Sequence, residues 1–146
     1  MRIDKIDQQL IDLLQKNARI SFTKMGVEVG LSSAAVADRI RKLEDEGVIL
    51  SYGILLDPSL MGYPLHAIIH LRAFVGMLKP FLSRVPSLKE IRNCYRVTGN
   101  ENIIMEVFLT DQKHLEKLID LLISYGETRT HIVLSQVIRN APIHSV

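Results

Sequence analysis

The chain has no tryptophan and a single cysteine, Cys94, in 146 residues. One thiol cannot close an internal disulfide, and by itself it cannot supply a structural zinc site, which takes about four ligands. Glycine and proline are sparse, at eight and five, so collagen-like and low-complexity readings are excluded. Long apolar runs are missing as well: stretches such as Ala67 to Leu71 fall far short of the roughly 20 residues that span a bilayer. The charged start of the chain lacks an apolar signal-peptide core, and the sequence reads as cytoplasmic with no membrane partner. Nor is there a bulk excess of one charge, since 18 Lys and Arg face 16 Asp and Glu. Nucleic-acid binders usually carry such an excess, because phosphate contacts supply most of their non-specific affinity. A DNA-binding function therefore has to rest on local placement, and the tight basic cluster is Arg39, Arg41 and Lys42.

What is there is a change of pattern along the chain. Between Asp4 and Ala18, Ile6, Leu10, Leu13 and Leu14 recur at helical spacing, with Asp4 and Asp7 in the first turn, where the helix dipole favours them. Ser21 is suited to cap a second, short helix with Phe22, Met25 and Val29 on its apolar side, and Gly30 can end it in a left-handed conformation. Ser32 then caps a third helix, in which Val36, Ile40 and Leu43 repeat on one face until Gly47 stops it. Two helices joined by about three residues have no room to run antiparallel, so they must cross steeply, as in a helix-turn-helix.

Val48 to Leu56 is apolar and β-prone, and Asp57-Pro58 after it is a turn signal that marks a domain boundary. Beyond it Leu65 to Phe74 reads as a strand and Met77 to Arg84 as a short helix. Ile91 to Thr98 and Ile103 to Leu109 read as strands joined by a hairpin turn at Gly99-Asn100. A helix over Gln112 to Ser124 and a last strand over Thr130 to Ile138 complete the order β-α-β-β-α-β. That order implies a ferredoxin-like sandwich, an antiparallel sheet with both helices on one face. The expected class is α+β: a winged-helix-like helix-turn-helix domain over 1–49, a linker strand and turn over 50–62, and a βαββαβ domain over 63–146. The open sheet face needs a cover, and a second copy of the sheet predicts a homodimer.

On the third helix Ser33, Ala34, Ala37, Asp38 and Arg41 lie away from the apolar face and suit entry into a major groove of double-stranded DNA. The planar fork of Arg41 matches guanine O6 and N7, whereas Arg39 and Lys42 suit phosphates. Ser21, Thr23, Lys24 and Ser32 are expected at the DNA backbone, because a capped helix N-terminus also binds phosphate. The competing reading is a solvated helix face with Asp38–Lys42 and Arg41–Asp45 pairs at i, i+4; the preceding turn favours DNA. His66 and His70 would align on a helix, but on a strand they stand about 13 Å apart at roughly 3.3 Å per residue, too far to chelate a metal. Cys94 reads as strand packing. No catalytic residue, metal ligand or cofactor is assigned.

Leu31-Ser32 followed by Arg39-Ile40-Arg41-Lys42-Leu43-Glu44 and Gly47-Val48-Ile49 resembles the leucine-responsive and asparagine regulator (Lrp/AsnC) family of transcription factors. Cys94-Tyr95-Arg96-Val97-Thr98-Gly99, and Arg129-Thr130 before the last strand, sit where the recurring motifs of that family's effector domain fall. The resemblance spans nearly the whole chain. It implies a nucleoid-associated dimer, often assembled into tetramers or octamers, that binds operator DNA and answers to an amino acid or related metabolite. The implied effector pocket lies near the hairpin after Gly99, with Thr98, Gly99, Asn100, Glu101, Asn102, Arg129 and Thr130 as its candidates. Many relatives place an aromatic residue and an Asp two and three residues after that Gly. Here Glu101 carries the carboxylate, and Asn102 offers hydrogen bonds without charge. An enzyme alternative exists, because siroheme-decarboxylase-like proteins resemble the same two-domain plan. They tend to continue the Cys-Tyr-Arg strand with Trp-Pro-Tyr-Asn, whereas this chain continues Val97-Thr98-Gly99-Asn100. A third class is a metabolite-sensing or architectural module without a specific operator.

Overall fold

Asp4 begins the first ordered element. Its side chain accepts from the Asp7 amide at 2.8 Å while Asp7 accepts from the Asp4 amide at 3.2 Å, a reciprocal capping box that satisfies two otherwise orphaned donors. The computed structural model, which describes residues 2–146, places helix α1 at Lys5–Lys16, α2 at Phe22–Val29 and α3 at Ser33–Asp45. The hydroxyls of Ser21 and Ser32 cap α2 and α3, each accepting a backbone N–H at 3.2 Å. Gly30 ends α2 in the left-handed region at φ 72°, where a side chain would be strained. Leu10, Met25, Val36, Ile40 and Leu43 are buried between the three helices.

The chain divides into two compact units, one comprising the residues up to Leu55 together with Ile138–Val146, the other Leu56–Val137. Two expectations change here. Residues 50–56 form no strand in the structure, so the expected linker strand and any wing built from it are not formed. The C-terminal residues 138–146, expected in the second domain, belong with the helical unit, because the Gln15 side-chain amide accepts from the Ile143 N–H at 2.8 Å and donates to the Ile143 carbonyl at 2.9 Å.

In the second unit β1 (Leu65–Ala73), α4 (Leu78–Arg84), β2 (Ile91–Arg96), β3 (Ile103–Leu109), α5 (Gln112–Leu122) and β4 (Gly126–Ile132) follow the expected order. The strands form one antiparallel sheet, β2-β3-β1-β4. Alternation sends Ala67, Ile69, Leu71, Ile103, Met105, Val107 and Leu109 to one face, where they are buried with Phe81, Leu88, Leu118 and Leu122. The intervening residues form the other face.

The last strand starts and ends earlier than the expected Thr130–Ile138. Gly126, two residues past the expected helix, is the first residue of β4 and lies opposite Ala73. A Cβ there would stand 2.3 Å from the Arg72 carbonyl oxygen, so glycine alone allows β4 to approach β1 at this point. The β2–β3 connection also departs from a two-residue turn. It spans residues 97–102, closed by the Val97 N–H donating to the Asn102 carbonyl at 3.0 Å.

Candidate nucleic-acid interface and effector pocket

The turn between α2 and α3 is set by close backbone approach. A Cβ on Gly26 would lie 2.4 Å from the Leu31 carbonyl oxygen, so the missing side chain permits the chain to fold back against α2. The Leu31 N–H donates to the Gly26 carbonyl at 2.9 Å, which fixes that return. Sequence reasoning passed over Gly26, whose only signal is a glycine inside a helical pattern.

Around α3 the expected DNA-facing residues divide into two sets. Ser33, Ala34, Asp38, Arg41 and Lys42 are exposed and Ala37 is half-buried, while Ser21, Thr23, Lys24 and Ser32 are exposed at the starts of α2 and α3. Arg41 Nη1 donates to Asp38 Oδ1 at 3.2 Å, with side chains 68% and 74% exposed. This i, i+3 pair replaces the i, i+4 pairs expected of a solvated face. A surface pair of this kind contributes about 0–1 kcal/mol, so a guanine edge or a phosphate can displace it at little cost. Arg39 differs. Its Nη1 donates to Asp4 Oδ2 and to Asp7 Oδ1, both at 2.7 Å, and Asp7 is only 4% exposed. These bonds hold the Arg39 guanidinium above its ordinary pKa, and the Asp7 backbone N–H, followed by Arg39, holds the Asp4 carboxyl below the usual range. Arg39 is thus tied into the protein, joining α3 to the start of α1, and is not presented to a phosphate.

In the second unit the expected effector residues also divide. Glu101 Oε2 pairs with His70 Nδ1 at 2.7 Å and Glu101 Oε1 with Arg129 Nη1 at 3.1 Å. His70 lies opposite Arg129 in the β1–β4 register, so β1, β4 and the hairpin converge on one carboxylate. Two adjoining cavities open here. One of about 450 Å³ is lined by His70, Val97, Thr98, Asn100, Glu101, Ile104 and Arg129. The other, of about 170 Å³, shares Asn100, Glu101 and Arg129 and adds Arg72, Glu127 and Thr128.

Asn102 and Thr130 fall outside both cavities. Asn102 Oδ1 accepts from the Ala73 N–H at 3.1 Å, so its side chain secures the end of β1. Thr130 lies opposite Ile69, which puts it on the helix-covered face, while strand alternation sends Arg129 to the open one. Gly99, at φ 109°, shapes the loop without lining a cavity. His70 was missed, because sequence reasoning placed it only as a sheet-face residue. Its partner Glu101 is 31 positions away, and strand register alone brings the two together.

Two family models match the chain: an AsnC-type helix-turn-helix domain over residues 3–44 and an Lrp/AsnC ligand binding domain over residues 66–143. The chain belongs to the Lrp/AsnC family of transcriptional regulators. Among its relatives, the HTH-type transcriptional regulator LrpB of Bacillus subtilis is 32% identical over 137 residues, covering 94% of this chain and 92% of the relative. Bacillus subtilis LrpC superposes with a TM-score of 0.90 at 28% identity, over 94% of this chain and 99% of that one. A transcriptional regulator of Neisseria meningitidis, solved as its L-Met complex, superposes with a TM-score of 0.90 at 25% identity, over 97% of each chain. The Lrp/AsnC plan accounts for both units: the helix-turn-helix occupies the first, and the match to the ligand-binding domain takes in the Glu101 cluster of the second.

Proposed function

We propose that this Lrp/AsnC regulator reads operator DNA with α3 and answers to an amino acid, or a related small metabolite, bound beside Glu101. The observation that carries the reading is the small-residue face of α3, exposed Ser33 and Ala34 with half-buried Ala37, beside exposed Arg41. Small side chains let the helix sit deep in a major groove, and Arg41 offers two parallel donors to a guanine. Lys42, Ser21, Thr23, Lys24 and Ser32 serve the phosphates, the serine hydroxyls still having their own protons to donate while they cap. At the second site an amino-acid ammonium would share the Glu101 carboxylate and its carboxylate would take donors of Arg129; that a Neisseria relative was solved with L-Met supports an amino acid as the effector class.

The working form in this proposal is a homodimer joined through the open sheet face, assembling further to tetramers or octamers. Half-buried Ile68, Ile104 and Phe108 lie on that face, and the Glu106 carboxylate among them has partners within the sheet, His66 at 2.9 Å and the Asn93 side-chain amide, from which it accepts. A second copy covering that face meets a carboxylate that is already hydrogen-bonded. The protein would work in the cytoplasm, associated with the nucleoid, by binding and not by catalysis, without a cofactor. In keeping with that, burial pushes the Cys94 thiol up, which keeps it from being a ready nucleophile.

The test is a titration of the purified protein against DNA upstream of its own gene and against a scrambled duplex at about 150 mM salt, where non-specific binding is weak. Selective retardation of the upstream duplex is expected, and its dependence on added amino acids identifies the effector. Equal, salt-sensitive binding to both duplexes would contradict the operator reading.

A further inference from the structure

The apolar stripe of α1 faces the core through Leu10, with Ile6, Leu13 and Leu14 beside it. The opposite stripe, Gln8, Asp12 and Gln15, stands at i, i+4 and i+7, a spacing that ordinarily marks a solvated face. Here it holds a chain segment. The Gln15 amide accepts from and donates to the backbone of Ile143, as a neighbouring strand would. Gln8 Oε1 accepts from the Ser145 N–H at 2.8 Å, and the Gln8 side-chain N–H donates to Asp12 Oδ1 at 2.7 Å. Asp12 Oδ1 in turn lies 3.3 Å from His144 Nδ1. Ile143 and Ser145 are held main chain to side-chain amide, and Ile143 stays 80% exposed. A cavity of about 460 Å³ remains beside it, lined in part by Ile11, Leu14 and Val48. Hydrogen bonds that each contribute about 1 kcal/mol, with little apolar burial at Ile143, stand against the ordering of the segment, which puts docking near balance.

We propose that the outer face of α1 is a docking surface for an extended main chain, that its occupant is the protein's own segment 138–146, and that this segment is a releasable strap on the DNA-binding unit. The chain passes between the two units at Leu55–Leu56 and again at Val137–Ile138. With the strap docked, both passages tether the helical unit; with the strap free, the first alone does. A looser tether lowers the effective concentration of a second reading head once the first is bound. The strap therefore tunes binding to paired half-sites and leaves the intrinsic affinity of one helix-turn-helix unchanged, an effect that rests on the DNA-binding reading above.

The experiment uses the full chain, the variants Gln15→Ala and Gln8→Ala, and a truncation after Val137. Amide exchange of Ile143 and Ser145 is compared with that of a free peptide of residues 138–146. Affinity is measured for a duplex recovered by the protein from a random-sequence pool, and for the same duplex with one half-site scrambled. The expected result is protection of both amides by about tenfold or more, lost in the glutamine variants, with about fivefold weaker binding to the paired sites and unchanged binding to the single site. Peptide-like exchange in the unmodified protein would overturn the strap, as would equal affinity of all forms for the paired sites or an equal loss on both duplexes. Failure of the DNA-binding reading shows separately, as absence of selective binding by the unmodified protein, and the amide exchange then still decides whether the strap exists.

Discussion

Arg39 Nη1 lies 2.7 Å from Asp7 Oδ1, and the Asp7 side chain is 6% exposed where that of Arg39 is 34% exposed. A carboxylate so enclosed depends on its partner, because breaking a buried pair leaves an uncompensated charge. Arg39→Ala is therefore expected to destabilise the protein by about 2–3 kcal/mol, a value below the range for fully buried pairs because Arg39 is partly solvated. Arg41→Ala should stay within about 0.5 kcal/mol of the parent. Urea unfolding of the two variants distinguishes these roles; equal stability of both would contradict them.

Lys42 and Arg41 are neighbours to which the proposal gives different tasks, a phosphate and a base. Lys42→Ala is expected to weaken binding to all duplexes alike and to lower the slope of log affinity against log salt by about one, as loss of a single phosphate contact does. A change in sequence preference without a change in salt slope would reverse the assignment.

Gly126→Ala and Gly26→Ala test the two close backbone approaches. The new Cβ would stand 2.3 Å from the Arg72 oxygen in the first and 2.4 Å from the Leu31 oxygen in the second. Overpacking against backbone costs about 1–3 kcal/mol, and in α2 the better helix propensity of alanine returns up to about 1 kcal/mol. Gly126→Ala should thus be the more destabilising, as read by thermal unfolding.

The second site makes a prediction by contrast. Arg129→Ala and Glu101→Gln should each weaken binding of the amino-acid effector about tenfold, the equivalent of 1.4 kcal/mol, whereas Thr130→Ala on the covered face should stay within about twofold. Calorimetric titration over a panel of amino acids measures both. A larger effect of Thr130 than of Arg129 would move the pocket.

The acid limb of stability follows from three carboxyls held below their ordinary values of 3.8 for Asp4 and Asp111 and 4.5 for Glu90. The causes are the Asp7 amide for Asp4, the His114 amide for Asp111 and the His114 ring for Glu90. A carboxyl lowered on folding contributes stability above its unfolded pKa and loses it as pH falls through the folded value. The contribution of these carboxyls should therefore be level above pH 5 and fall below about pH 4.5, with a shallower fall in Glu90→Gln. At the other extreme Tyr52, pushed up to about 12 by burial and then by its bond to Glu44, should lose its contribution only above its ordinary pKa of 10.0.

Much of the architecture was legible because local chemistry and tertiary need agree. Ser21, Ser32 and Gly30 mark helix ends by themselves, and the alternation of Ile103 to Leu109 gives both a strand and its buried face. The departures have a common cause in distance along the chain. Gly126 lies between the expected helix and the expected strand, and only the close approach of β1 marks it as the start of β4. Arg39 reads as a phosphate contact until Asp4 and Asp7, more than 30 residues earlier, claim its guanidinium. Gln8, Asp12 and Gln15 stand at a spacing that ordinarily marks a solvated face, and nothing nearby announces the segment around Ile143. At the second site the hairpin was found from its motif, but His70 and the opposed directions of Arg129 and Thr130 follow only from strand register.

The proposed regulator stands or falls with base reading by Arg41 on α3. The most direct measurement is the ratio of affinities for a selected operator and a scrambled duplex at about 150 mM salt, taken for the parent and for Arg41→Ala. The ratio should fall about tenfold or more, the cost of losing a bidentate guanine contact, while affinity for the scrambled duplex changes far less. An unchanged ratio would show that Arg41 does not read a base.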